Sequence, residues 1–163
     1  MQLGGSDGSK KQQPKKVTFF LDECLPSWIA EFLSKVGYPI TSWYEEFKGQ
    51  QGFEDPWLIS YLGAKGYTWI TKDEKAKVEH EPNIRAAQIS VIWIRGLERS
   101  KGQIPKHFTT KDLHRMLTDK LDGLAEEIRS AKRPLYFILY MSKSGKSTQL
   151  RVALEDFFKR KQP

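Results

Sequence analysis

The stretch Val17-Thr18-Phe19-Phe20-Leu21-Asp22-Glu23-Cys24-Leu25-Pro26 decides the fold. Its opening run is apolar or β-branched, which is the composition of a strand buried on both faces. That strand runs directly into two carboxylates. Pro26 suits the first turn of a helix, and Trp28, Ile29, Phe32, Leu33 and Val36 then repeat at helical spacing. In an open α/β sheet, ligands bind beyond the carboxyl ends of the strands, and Asp22 stands at such an end. The rest of the chain reads as a scaffold that brings other acids to Asp22.

Working outward, the first strand covers about 16–21 and the first helix 26–36, with Gly37 as a left-handed stop. Pro39–Trp43 reads as a short second strand, and Tyr44–Glu54 as a polar loop containing Gly49 and Gly52. Asp55-Pro56 opens a second helix, with Asp55 as its cap and Leu58, Ile59, Leu62 and Tyr61 inward; Gly66 closes it. Tyr67–Thr71 is a third strand, ending in Lys72-Asp73-Glu74. A short charged helix follows, stopped near Pro82, and Ile84–Ala87 leads to a fourth strand, Ile89–Ile94, ending at Arg95-Gly96. This alternation with short loops predicts a mainly parallel sheet covered on both faces.

Beyond Gly96 comes a basic loop, Leu97–Phe108. Thr109 or Thr110 caps a long helix with Leu113, Met116, Leu117, Leu121, Leu124, Ala125 and Ile128 inward, and Pro134 marks its end. Leu135–Met141 is a fifth strand. Ser144-Gly145 and the alternation over Thr148–Leu154 predict an edge hairpin. A helix is the alternative there, because Leu150, Leu154, Phe157 and Phe158 also fit its period.

The length suits one domain, residues 17–163, with 17–96 as core and 97–163 as a C-terminal extension. At 39% hydrophobic and 12% aromatic residues, the chain is expected to be globular. Residues 1–16 are Gly, Ser, Gln and Lys without apolar periodicity, and read as a disordered basic arm. No apolar run approaches the roughly 20 residues of a membrane span, and no signal core is present. The single Cys24 excludes an internal disulfide and fits a reducing cytoplasm. The net charge of +7 is uneven: residues 1–81 carry −2 and residues 82–163 carry +9. A basic half beside clustered acids suits a polyanionic substrate.

Three acids lie where this fold would converge them: Asp22 after the first strand, Asp55 at the second helix and Asp73 after the third strand. Glu23 and Glu74 are adjacent reserves. Each acid alone has a structural role open to it, Asp55 above all as a helix cap. Together they repel, since two unit charges about 4 Å apart cost about 4 kcal/mol at an effective dielectric near 20. A hard divalent cation, Mg²⁺ or Mn²⁺, is the usual remedy, and its bound water can attack a phosphodiester. Arg85, Arg95, Arg99, Lys101 and Lys106 surround the end of the fourth strand, and are expected to rim the acids and contact RNA phosphates. Thr71 and Lys72 flank Asp73 and are candidates to orient water or phosphate. Gly145-Lys146-Ser147 is no phosphate loop, because Tyr140 occupies the earlier glycine position. His80, His107 and His114 show no metal-ligand spacing, and Cys24 reads as a core residue.

Phe20-Leu-Asp22-Glu23-Cys-Leu-Pro26, then Glu54-Asp55-Pro56-Trp-Leu-Ile, then Trp69-Ile-Thr71-Lys-Asp73, then Val91-Ile-Trp-Ile-Arg95 resembles the PIN-like domain of VapC-type toxins. The likeness is to the compact branch that begins "LDE-x-LP", and it covers about Val17–Gly96. It implies a three-layer α/β sandwich with a central, mainly parallel sheet. It also implies a metal-dependent endoribonuclease held inactive by an antitoxin protein, and is compatible with a homodimer. By match of motif, Asp22, Asp55 and Asp73 carry over as metal-binding catalytic acids. One departure stands out: Lys75 occupies a position where that branch often has a second acid, leaving Glu74 or Glu23 to stand in. Two rivals are a phospho-receiver domain with Asp73 as acceptor and Lys143 near the last parallel strand, and an inactive RNA- or protein-binding module.

Overall fold

A computed structural model describes residues 16–73, 79–97 and 108–155. The strands are β1 (Thr18–Leu21), β2 (Ile40–Ser42), β3 (Tyr67–Thr71), β4 (Val91–Leu97), β5 (Tyr136–Met141) and β6 (Ser147–Val152). They form one sheet in the order β2-β1-β3-β4-β5-β6. The first five are mutually parallel, and β6 returns antiparallel on β5. The hairpin reading of 148–154 therefore holds through Val152.

Helices cover both faces. On one lie α1 (Ser27–Lys35) and, last in the chain, α5 (Thr110–Ser130). On the other lie α2 (Trp43–Phe47), α3 (Asp55–Lys65) and α4 (Glu81–Ala87). Alternation along β1 sorts its side chains: Phe19 and Leu21 join the core under α1 and α5, and Phe20 joins the core under α3 and α4. The continuous apolar run is thus explained by two buried faces, giving the three-layer α/β sandwich that the sequence implies. All seven inward positions expected of α5 are buried. Its start is fixed by a capping box, in which Thr109 Oγ1 accepts from Asp112 N–H and the Asp112 carboxylate accepts from Thr109 N–H.

Three local readings are corrected. Trp43–Phe47 is a helix, where strand end and loop were expected, because Ser42 Oγ caps it by accepting from Glu45 N–H at 3.3 Å. Pro82 opens α4 where a stop was expected; a first-turn proline loses no helical hydrogen bond. The charged stretch before it, 74–78, lies outside the described residues. β4 runs on through Arg95 and Gly96 to Leu97, with a bulge between Ile94 and Gly96 that makes Arg95 the extra residue. Gly96 has φ +86°, and a Cβ there would meet Phe108 at 3.3 Å, so this position suits only glycine. Residues 1–15 of the arm and the segments 98–107 and 156–163 also lie outside the described residues.

Candidate active site

Asp22 follows β1 directly and is 6% exposed. Two residues beyond Phe20, it projects to the face covered by α3 and α4. Its N–H donates to the Ile70 carbonyl on the neighbouring strand at 3.0 Å. Three donors hold its carboxylate. Glu23 N–H reaches Oδ1 at 2.8 Å, the Thr71 hydroxyl reaches Oδ2 at 2.6 Å, and the Cys24 thiol lies 3.5 Å from Oδ2. Thr71 ends β3 on the same face and is fully buried. Its Oγ1 also accepts from Asp73 N–H at 3.1 Å, so one hydroxyl ties the first acid to the backbone of the third.

Asp55 is the first residue of α3, whose start shows no side-chain cap bond. The cap role that the sequence offers it is therefore not used. Its carboxylate instead lies 3.5 Å from His80 Nε2, in the cap position of α4. Burial pushes the Asp55 carboxyl above its ordinary range; His80 opposes this, while the charges of Asp73, Glu23 and Glu79 add to it. Asp22 is also pushed up, chiefly by burial; the bonds from Thr71, Glu23 N–H and Cys24 oppose the rise, and the charge of Asp55 adds to it. The Cys24 thiol is raised to about 11, first by burial and then by Asp22, so it stays a neutral donor. Asp22, Glu23, Asp55 and Asp73 thus share one electrostatic field at the carboxyl edge of the sheet.

The donor chemistry fits a hard divalent cation: oxygen ligands whose proton affinity is raised by burial and mutual repulsion. The spacing is another matter, since among the described residues no group of three or more His, Cys, Asp or Glu is placed to hold a metal ion. Glu74 lies outside the described residues.

The basic residues divide. Lys72 is exposed between Thr71 and Asp73. Arg95 is exposed at the β4 bulge, at the same edge of the sheet as Asp22. Arg85 is placed elsewhere. It pairs with Glu81 at 2.8 Å and Glu155 at 3.1 Å, and its charge acts on Tyr136 at the start of β5. The reason is direction: α4 leaves the acid edge at His80 and returns to the amino end of β4, carrying Arg85 with it. Arg99, Lys101 and Lys106 lie outside the described residues.

Sequence reasoning marks Thr71 only as a neighbour of Asp73, although its place on the strand beside β1 signals more. His80 gave no signal, because its contact with Asp55 depends on how α4 packs against α3. Cys24, read as core, is half-buried and bonded to the leading acid.

No characterised protein and no solved structure matches the chain. Residues 17–96 match a family described as PIN like domain. That segment holds β1 to β4 as far as Gly96, with Asp22, Glu23, Asp55 and Asp73. The matched motifs and the parallel α/β sandwich agree, and residues 17–96 are a PIN-like domain.

Proposed function

We propose that the protein is a metal-dependent endoribonuclease that hydrolyses RNA phosphodiester bonds. PIN-like domains are generally nucleases, which sets the reaction class. The observation that carries the reading is Asp22: a carboxylate buried at a strand end, fixed by three donors and placed in the field of Asp55, which itself stands in the fields of Asp73 and Glu23. Burying a charge among like charges has no stabilising purpose that an asparagine or leucine would not serve better. Asp22, Asp55 and Asp73, with Glu23 or Glu74, would hold Mg²⁺ or Mn²⁺. Such an ion supplies an activated water and offsets charge on the phosphate.

The chain's own groups then have distinct tasks. Thr71 and Glu23 N–H orient Asp22 so that it cannot swing away. Asp55, less buried than Asp22 and with its proton affinity raised, is the carboxylate suited to take a proton from the attacking water, with His80 beside it to steady the charge. Arg95 and Lys72 hold the phosphate backbone at the same edge. A phospho-receiver would leave Asp55 without a task. In the finer reading the enzyme is the toxin of a toxin–antitoxin pair, restrained by a protein partner. The test is cleavage of a labelled RNA with Mg²⁺ or Mn²⁺. Wild type should cut, while Asp22→Asn and Asp55→Asn each lose 100-fold or more, about the contribution of one general base. Unchanged cleavage in both variants would place the chemistry elsewhere.

A further inference from the structure

The first turn of α3 points two ways. Asp55 faces the sheet, and Trp57, two residues on, is turned about 200° around the axis to the outer flank. Trp57 belongs to neither buried cluster and is 48% exposed. Its plane is nevertheless fixed. The indole lies 4.8 Å from Phe53 and 5.5 Å from Tyr61, at 20° to each. Phe47 packs against all three rings, at 4.5, 5.7 and 5.0 Å. Tyr61 is pinned in turn, since its O–H donates to Glu46 at 2.5 Å. The result is a row of three near-parallel rings with Trp57 in the middle, oriented before any ligand arrives; the part of the indole that Phe53 and Tyr61 leave uncovered is open to solvent.

Cations flank this row. Lys65 Nζ stands 5.7 Å from the Tyr61 ring centre, and the exposed Lys48 follows Phe47. Flat faces with nearby cations suit a nucleobase and its phosphates, and stacking accepts any base because every base has a π-face. The distance is right as well: Asp55 and Trp57 are separated by about one helix diameter, roughly 10–12 Å.

We propose that the Phe53–Trp57–Tyr61 row is a base-stacking subsite, which holds an unpaired RNA base within a nucleotide or two of the phosphate at Asp22 and Asp55. The inference rests on the nuclease reading for its ligand. Because the bases carry the contact, the subsite selects unpaired over duplex RNA and tolerates most sequences.

The experiment is a binding titration with the full chain in EDTA, so that nothing is cut. The probes are an eight-nucleotide oligo(A) and an abasic strand with the same phosphates, read by tryptophan fluorescence and by anisotropy of the labelled strand. Oligo(A) should quench the fluorescence and bind more tightly than the abasic strand. Trp57→Leu should weaken oligo(A) by about 5- to 150-fold, the range for losing one stacked base, and leave the abasic strand unchanged. Trp57→Phe keeps a ring in the row, so it should retain most of the affinity while the quenching disappears; it carries the test if the leucine variant does not fold. Oligo(A) and the abasic strand binding alike, quenching that persists in Trp57→Phe, or an unchanged oligo(A) affinity in folded Trp57→Leu would each overturn the subsite. Loss of self-association in Trp57→Leu with unchanged oligo(A) affinity would do the same, and would make the row a protein contact. Trp57-dependent binding by a chain that cuts no RNA with Mg²⁺ or Mn²⁺ would support the subsite and remove only the nuclease reading.

Discussion

Thr71 gives its hydroxyl hydrogen to Asp22 and takes the Asp73 amide in return, so a neutral hydroxyl links the first acid to the third. The cost of that arrangement shows in pH. Asp22 binds its proton more tightly folded than unfolded. Between the ordinary carboxylate value, about 3.9, and the raised folded one, the folded chain holds the extra proton. Stability therefore falls as pH rises through that window and levels off above it. Asp22→Asn keeps an oxygen for Thr71 but gives up the Glu23 N–H bond, and it removes the titration. In EDTA at neutral pH it should melt at or above wild type, by up to about 2 kcal/mol, and its acid-side slope should flatten. Thermal melts from pH 3 to 8 check this, and a large loss of stability would make Asp22 structural. At this scale the positions of Asp22, Asp55 and Asp73 at element boundaries were legible, because the sequence marks each boundary. His80 was not legible, since a contact between the starts of two helices leaves no periodic trace.

The pairing of α3 with α4 decides where Asp55 and His80 meet. Gly63 on α3 is the contact point: a Cβ there would lie 2.9 Å from the Ala87 carbonyl oxygen and 3.0 Å from its Cβ. Replacing an interior helical glycine by alanine ordinarily gains about 0.5–1 kcal/mol. Here the backbone contact outweighs that gain, since overpacking costs about 1–3 kcal/mol. Gly63→Ala should lower the urea midpoint and, by moving α4 away, loosen His80 from Asp55 and reduce cleavage. A midpoint raised above wild type would show that the helices separate freely. The element reading succeeded where periodicity was long, as along α5 with its seven buried positions. It failed at Trp43–Phe47 and at Pro82, where five- and seven-residue helices are too short for a period and only their caps identify them.

Across the whole molecule, the acids lie in the half of net charge −2, and the half of net charge +9 supplies β4 onward. An anionic strand needs that second half to approach the first. Replacing Arg95, Lys101 and Lys106 by alanine should weaken RNA binding regardless of sequence. It should also lower the slope of log affinity against log salt by about 2, at about 0.7 per phosphate contact. An unchanged slope would assign these residues to a solvated surface or a protein partner. The family match stops at residue 96, inside β4. Yet β4 is paired along its length with β5, from Val91 with Tyr136 to Leu97 with Met141. Leu21, Ile70 and Ile92 share their core with α5. A chain cut where the match ends would stop one residue short of the end of β4, with a raw edge on β4 and only α1 left on the face it shares with α5, a template for recruiting its own copies. Family likeness and foldability therefore draw different borders in this protein: the matched segment leans on the unmatched one for its edge and its core.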